Sequence, residues 1–131
     1  MRPSLEAVEV LRPRKRKEAL RMLSEAAGAH APLIPLAGGT DLFVGLNAGA
    51  APAGRYLDLW GLDDLRDIHL DGKALVIGAL ATWTDCIRSK AVARRLPILA
   101  DAAREVGGAQ IQNRGTIGGN LGNGSPAGDG L

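Results

Sequence analysis

Asn113-Arg114-Gly115-Thr116-Ile117-Gly118-Gly119-Asn120-Leu121-Gly122-Asn123-Gly124-Ser125-Pro126-Ala127-Gly128-Asp129-Gly130-Leu131 is the stretch on which the reading of this chain turns. Seven of the chain's eighteen glycines fall between Gly115 and Gly130, and the only charged side chains in the stretch are Arg114 and Asp129. Glycine at this density costs conformational entropy, and it is retained where backbone must take positive φ or lie against something flat or charged. The same composition is compatible with a disordered tail. Against a tail stand two apolar anchors, Ile117 and Leu121, and the uncharged hydrogen-bonding groups of Thr116, Asn120, Asn123 and Ser125. The pattern predicts a ligand-lining loop docked on a core.

Composition bounds what surrounds that loop. With 131 residues, 46% hydrophobic and 23% charged, the chain reads as one soluble domain, or one domain cut short, with enough apolar residues for a core. No apolar run approaches the length of a membrane span, and Met1 to Glu6 lacks the apolar centre of a signal peptide, so a cytoplasmic protein is expected. A net charge of +2 and 3% aromatic residues argue against nucleic-acid binding. The basic run from Arg12 to Lys17 has no aromatic interleaving and is followed by Glu18, as in a solvated helix start. One cysteine, Cys86, excludes an internal disulfide and an iron–sulfur cluster, and His30 and His69 add no zinc-ligand spacing.

Outward from the glycine stretch, the remaining elements alternate. Ala7 to Leu11 reads as a short strand, and Lys15 to Ala27 as a helix with Ala19, Leu20, Leu23, Ala26 and Ala27 on one face and Gly28 as its C-terminal cap. Leu33 to Ala37 is a strand in which Pro32 and Pro35 remove ladder donors, which confines it to an edge. It runs into Gly38-Gly39-Thr40-Asp41 and a short helix carrying Leu42, Phe43 and Leu46. Thr40 or Asp41 is expected to cap that helix, and its first free amides suit an anion such as a pyrophosphate. The loop is neither G-x-G-x-x-G nor a Walker A sequence, and Gly-Gly before a helix also occurs in plain tight turns.

The low-complexity joint Ala48 to Gly54 divides a small βαβ lobe, residues 1–52, from a second α+β lobe, residues 53–131. The second lobe is expected to hold a strand at Tyr56 to Leu59, then a hairpin of Ile68 to Leu70 and Ala74 to Ile77 about Asp71-Gly72. His69 falls on the exposed face of that hairpin. Thr82 or Thr84 caps a helix running through Cys86, Ile87 and Lys90, with Cys86 a buried thiol and Trp83 in the core. A further helix from about Ala91 or Pro97 to Val106 ends at Gly107-Gly108. The fold class is therefore α+β, with two glycine-rich loops in different lobes. One long ligand with an anionic middle, such as a dinucleotide, would explain both.

Pro35-Leu36-Ala37-Gly38-Gly39-Thr40-Asp41-Leu42, with Gln110 to Leu121 and Ser125 to Asp129 much later, resembles the FAD-binding subunit of the molybdenum hydroxylases, the xanthine dehydrogenase and carbon monoxide dehydrogenase family. The resemblance spans essentially the whole chain. It implies a two-lobed FAD-binding domain of the vanillyl-alcohol-oxidase (PCMH) type. Residues Pro35, Leu36, Ala37, Gly38, Gly39, Thr40, Asp41 and Leu42 would wrap the pyrophosphate through backbone amides. Thr116, Ile117, Gly118, Gly119 and Asn120 would touch the same dinucleotide, Asp129 would help hold it, and Val106 would pack near the flavin.

The same resemblance implies partners: a [2Fe–2S] small subunit, a molybdopterin-binding large subunit, and NAD+ or another electron acceptor. The family's domain continues beyond the point matching Leu131, so a domain incomplete at its C-terminus is expected. Two alternatives stand beside this reading. One is a different flavin oxidoreductase of the same superfamily, and the other is a non-catalytic remnant or interaction module.

Overall fold

Pro35 has no N–H to give to a sheet, and the strand that carries it has a neighbour on one side only. In the computed structural model, which describes residues 8–49, 54–126, 128 and 130, the chain forms two compact units that meet in sequence between Leu62 and Asp63.

The first unit contains β1 (Val8–Leu11), α1 (Arg16–Gly28), β2 (Leu33–Leu36), α2 (Thr40–Asn47) and β3 (Gly54–Asp58). Its sheet has the order β1-β3-β2, with both pairs parallel. The centre of the sheet is therefore the strand that comes last. Tyr56 and Leu57, adjacent and pointing to opposite faces, are both buried, as the middle of a parallel sheet requires. The β1–β3 register sets Glu9 opposite Arg55, and their side chains pair at 2.8 Å. Arg12 pairs with Asp58 at 3.0 Å at the end of the same ladder.

The expected division of the chain lay elsewhere, at residues 52–53. The boundary at residues 52–53 would cut β3 from the two strands it joins, and the division instead follows Leu62. The expected cap at Gly28 also moves. Gly28 lies inside α1, and His30 takes the left-handed conformation, φ 53°. The His30 N–H donates to the Ala27 carbonyl at 3.2 Å and the Ala31 N–H to the Ala26 carbonyl at 3.0 Å, the paired bonds of a Schellman ending. On the predicted apolar face of α1, Ala19 and Ala26 are buried but Leu20 is exposed.

The second unit opens with a 3-10 turn at Asp63–Leu65 and the antiparallel hairpin β4 (Ile68–Asp71) and β5 (Ala74–Ile77). Asp71 still belongs to the ladder, opposite Ala74, so the two loop residues are Gly72 and Lys73, with φ 57° at Gly72. His69 projects to solvent as expected, its Nδ1 2.7 Å from an Asp67 carboxylate oxygen.

Five helices follow: α3 (Trp83–Arg88), α4 (Lys90–Arg95), α5 (Pro97–Glu105), α6 (Ala109–Gln112) and α7 (Ile117–Asn123). Helix α3 stops before Lys90 because Ser89 is extended, and its hydroxyl accepts from the Val92 N–H to start α4. Leu96 then breaks the chain again, and Pro97, which needs no N–H at a helix start, opens α5. The core of this unit is Trp83, Cys86, Ala103 and Val106, with Ile68, Ile87, Leu99 and Ile117 packed on it. Among the described residues no helix is long and apolar enough to cross a membrane.

Candidate functional site

The two glycine motifs belong to different units, and each has its own local construction. In the first unit the chain leaves β2 at Leu36 and enters α2 through Gly38 and Gly39. Neither Thr40 nor Asp41 caps this helix. Gly39 is its N-cap, at φ 76° and ψ 8°, with no side chain accepting from the first turn. A left-handed N-cap favours glycine, which explains why the residue types that usually cap helices sit one and two places too late. The amides of Thr40 and Asp41, like those opening any helix, have no intrahelical acceptor, and the N-cap residue supplies no side-chain bond to them. The Asp41 side chain is exposed and Gly38 is buried. A Cβ added at Gly39 would stand 3.2 Å from the Phe43 ring. Polarised N–H groups at a helix start that follows two glycines are a feature able to receive an anion.

The second motif differs. Residues Ile117 to Asn123 form a helix, not the loop that their composition predicts. Thr116, 3% exposed, caps it by accepting from the Gly119 N–H at 3.0 Å. The Ile117 N–H donates to the Ala81 carbonyl at 3.0 Å and the Gly118 N–H to the Ala79 carbonyl at 2.8 Å. The amides that open α7 are thus engaged within the unit, in contrast to those opening α2. What this turn presents outward is small-residue backbone surface and the side chain of Asn120.

A second buried threonine supports the first. Thr82 caps α3 in a reciprocal capping box with Asp85, and Thr82 and Thr116 form an isolated antiparallel bridge. The Trp83 N–H donates to the Gly115 carbonyl at 3.1 Å, so the starts of α3 and α7 are tied back to back. Two glycines make this possible by close approach. A Cβ at Gly118 would lie 2.6 Å from the Ala79 oxygen, and one at Gly115 2.9 Å from the Trp83 ring. Ala79 and Ala81 were not candidates from sequence, although the Thr82-x-x-Asp85 spacing is a readable cap signal. Gly78 is another such residue: a Cβ there would stand 2.2 Å from the Leu65 oxygen.

Val106, expected near the flavin, is 4% exposed and packed in the core with Trp83, Cys86 and Ala103. Asp129 lies outside the described residues. Cys86 is fully buried, and desolvation, with the Asp85 charge second, pushes its thiol up to about 11. It is a packing residue, protonated at any ordinary pH. Among the described residues no group of acids, histidines and cysteines could hold a metal ion.

A parallel-sheet unit with an uncapped glycine turn, followed by an α+β unit with a second glycine motif, defines a class of cofactor-binding protein. The chain belongs to the family described as the FAD binding domain in molybdopterin dehydrogenase, whose pattern matches residues 6–131. The carbon monoxide dehydrogenase medium chain of Hydrogenophaga pseudoflava is 38% identical over 117 residues, 89% of this chain and 40% of that protein. The xanthine dehydrogenase FAD-binding subunit of Escherichia coli O157:H7 is 40% identical over 96 residues, 72% of this chain and 32% of that one. Among solved structures, the reconstituted CO dehydrogenase from Oligotropha carboxidovorans superposes with a TM-score of 0.84 at 32% identity, covering 94% of this chain and 42% of that one. The chain thus spans less than half the length of these relatives. The cofactor that this family of domains binds, and so the cofactor of this chain, is FAD.

Proposed function

We propose that this chain is the flavin-holding part of a cytoplasmic molybdopterin-dependent hydroxylase or dehydrogenase. It would work beside a [2Fe–2S] subunit and a large molybdopterin subunit. The observation that carries the reading is the start of α2, where Gly39 at φ 76° leaves the first amides uncapped. Bound FAD supplies a carrier that takes electrons singly from an iron–sulfur partner and passes them as a pair to NAD+ or another acceptor.

The residues of this chain bind and orient that cofactor. Pro35, Leu36 and Ala37 bring the edge strand to the cradle, and Gly38, Gly39, Thr40, Asp41 and Leu42 offer backbone to the diphosphate. No side-chain cation is needed there, because helix-start amides already carry partial positive charge. Thr116, Ile117, Gly118, Gly119 and Asn120 border the same molecule, with Val106 as apolar backing and Asp129 as a further anchor. The one cysteine is buried and protonated, so it offers no nucleophile, and the contribution assigned to this chain is position and electrostatics.

The test is flavin content. Co-expressed with its genomic neighbours and purified, the parent should carry FAD, read from the flavin absorbance bands. Gly39→Val places a branched side chain where φ is positive and a Cβ would stand 3.2 Å from the Phe43 ring, and it should retain less than about a tenth of the parent's flavin, a loss on the order of 1.4 kcal/mol or more in binding. Gly119→Val should behave likewise, and Asp129→Ala should lose less. Flavin content in Gly39→Val equal to that of the parent rejects the α2 cradle.

A further inference from the structure

Residues 12–21 read Arg-Pro-Arg-Lys-Arg-Lys-Glu-Ala-Leu-Arg, six cations and one acid in ten positions. All six cations are exposed. Arg12 is paired with Asp58 at 3.0 Å, and Arg21 reaches Glu25 at 3.7 Å. The side chains of Arg14, Lys15 and Lys17 have no partner among the described residues. Glu18, the only acid in the run, accepts from the Arg14 N–H at 2.7 Å and so serves the backbone.

This is an adverse way to begin a helix. Lys15 is the N-cap of α1, extended at φ −141° and ψ 149°, and its side chain makes no capping bond. Serine, threonine, aspartate or asparagine in its place would accept from one of the free amides of the first turn. Arg16 and Lys17 then add positive charge at the end of the helix that already carries a positive partial charge, where the dipole favours acids. Buried Ala19 and Ala26 hold α1 by packing in spite of this start. Charges set against the element that bears them point to something outside it.

The outward face of α1 carries an apolar side chain among those charges. Lys17, Leu20, Arg21 and Ser24 follow at helical spacing, on the side turned away from Ala19 and Ala26. All four are exposed, Leu20 by 62%. Lys15, Lys17, Glu18 and Arg21 wall an open depression of about 440 Å³. An apolar centre with a charged rim is the layout of a protein contact. The run has no aromatic ring for base stacking, and the net charge of the chain is only +2. A bilayer would need an apolar stripe, and this face offers one leucine.

We propose that the outer face of α1 is a docking surface for an acidic protein, one that sets carboxylates against Arg14, Lys15, Lys17 and Arg21 and an apolar side chain against Leu20. The partner is one of the two other subunits of the complex; this rests on the FAD-subunit reading and adds to it the surface where the subunits meet. Charges of this kind steer the approach and fix its register, and salt weakens them.

The co-expressed complex tests this. The fraction of this chain that sediments with its partner subunits is followed on dilution, at about 0.1 M and about 1 M sodium chloride. Lys15→Glu combined with Lys17→Glu should weaken assembly about tenfold at the lower salt and less than about twofold at the higher, with FAD per chain unchanged. Arg94→Glu combined with Arg95→Glu makes the same change in net charge on exposed side chains of α4 that have no partner among the described residues, and it should leave assembly at the parent's value. Equal losses in the two double variants would mean that overall charge governs assembly and would overturn the proposal. Unchanged assembly in the α1 variant would overturn it as well.

Stability separates docking from folding. Lys17→Glu puts an acid where the dipole of α1 favours one, and Lys15→Ser supplies the missing cap, so each should raise the urea midpoint while weakening assembly. A lowered midpoint accompanying the lost assembly would place the effect in folding and refute the docking face. Binding of the parent to duplex DNA or to phosphatidylserine vesicles, lost in the α1 variant while assembly is kept, would assign the face to a nucleic acid or a membrane instead. A parent that carries no FAD refutes the functional reading, and one that binds neither subunit refutes the docking face.

Discussion

Replacing Gly118 and Gly122 by alanine, one at a time, sets the same chemical change on the same helix against two different surroundings. Alanine is favoured over glycine in a helix interior by about 1 kcal/mol, chiefly because glycine loses more backbone freedom on folding. At Gly122 a new Cβ would meet nothing within 4 Å. The propensity gain should therefore appear nearly undiminished, and Gly122→Ala should stabilise the protein by about 0.5–1 kcal/mol.

At Gly118 the new Cβ would stand 2.6 Å from the Ala79 oxygen, 2.7 Å from its Cβ and 3.0 Å from its Cα. Two of those three atoms are backbone, so no side chain can swing aside. The strands of chain must separate by roughly half an ångström or more, which costs about 1–3 kcal/mol as overpacking. Separation also stretches the Gly118 N–H bond to the Ala79 carbonyl, now 2.8 Å, and strains the neighbouring bond from Ile117 to Ala81. Losing one such bond costs about another 1 kcal/mol. The sum outweighs the propensity gain, and Gly118→Ala should destabilise by about 1–3 kcal/mol. Urea denaturation followed by tryptophan emission reads both variants, and Trp83 reports directly on this unit. If the two substitutions shift the midpoint in the same direction, the close approach of α7 to Ala79 is wrong.

Two further outcomes follow from other parts of the fold. His30→Gly relieves a non-glycine residue at φ 53°, and it should raise stability by about 1 kcal/mol in the same urea assay; a loss would mean that the imidazole contributes more than its backbone strain costs. Cys86 supplies a pH test. Its thiol is raised from 9.0 to about 11 in the fold, so the unfolded chain releases its proton first, and stability present below pH about 9 should be lost as pH climbs through about 11. The stability gap between parent and Cys86→Ala should shrink over that interval, and a gap that stays constant would show that burial does not govern this thiol.

Local chemistry was legible wherever a residue type forbids an alternative. Pro35 cannot serve a central strand, so the edge position of β2 could be read directly, as could the hairpin about Gly72 and the burial of Cys86 and Trp83. The place of β3 could not. Tyr56 and Leu57 announce a strand, but nothing in a short apolar run states which strands flank it, and the glycine- and alanine-rich joint before it suggested a boundary that the sheet spans. Helix α7 was misread for the opposite reason. Its glycines argue against a helix, and what overrides them is tertiary: the buried Thr116 cap and the bonds to Ala79 and Ala81, both far away in sequence. At the candidate site the residues of the α2 turn were identifiable, but the cap was assigned to Thr40 or Asp41 because side-chain caps are the commoner device. The positive φ at Gly39 has no sequence signature beyond glycine itself.

The order of strands in the first unit bears on how the protein is made. Among the described residues β1 and β2 both pair only with β3, so a chain emerging from the ribosome holds two unsatisfied strands until residues 54–58 have cleared the exit tunnel. Until then α1 can coil but has no completed sheet to cover, and Leu33, buried in the finished unit, stays open to neighbouring nascent chains. A pause in translation before residues 54–58 have left the tunnel should therefore expose an aggregation-prone species, and one placed after they have emerged should not.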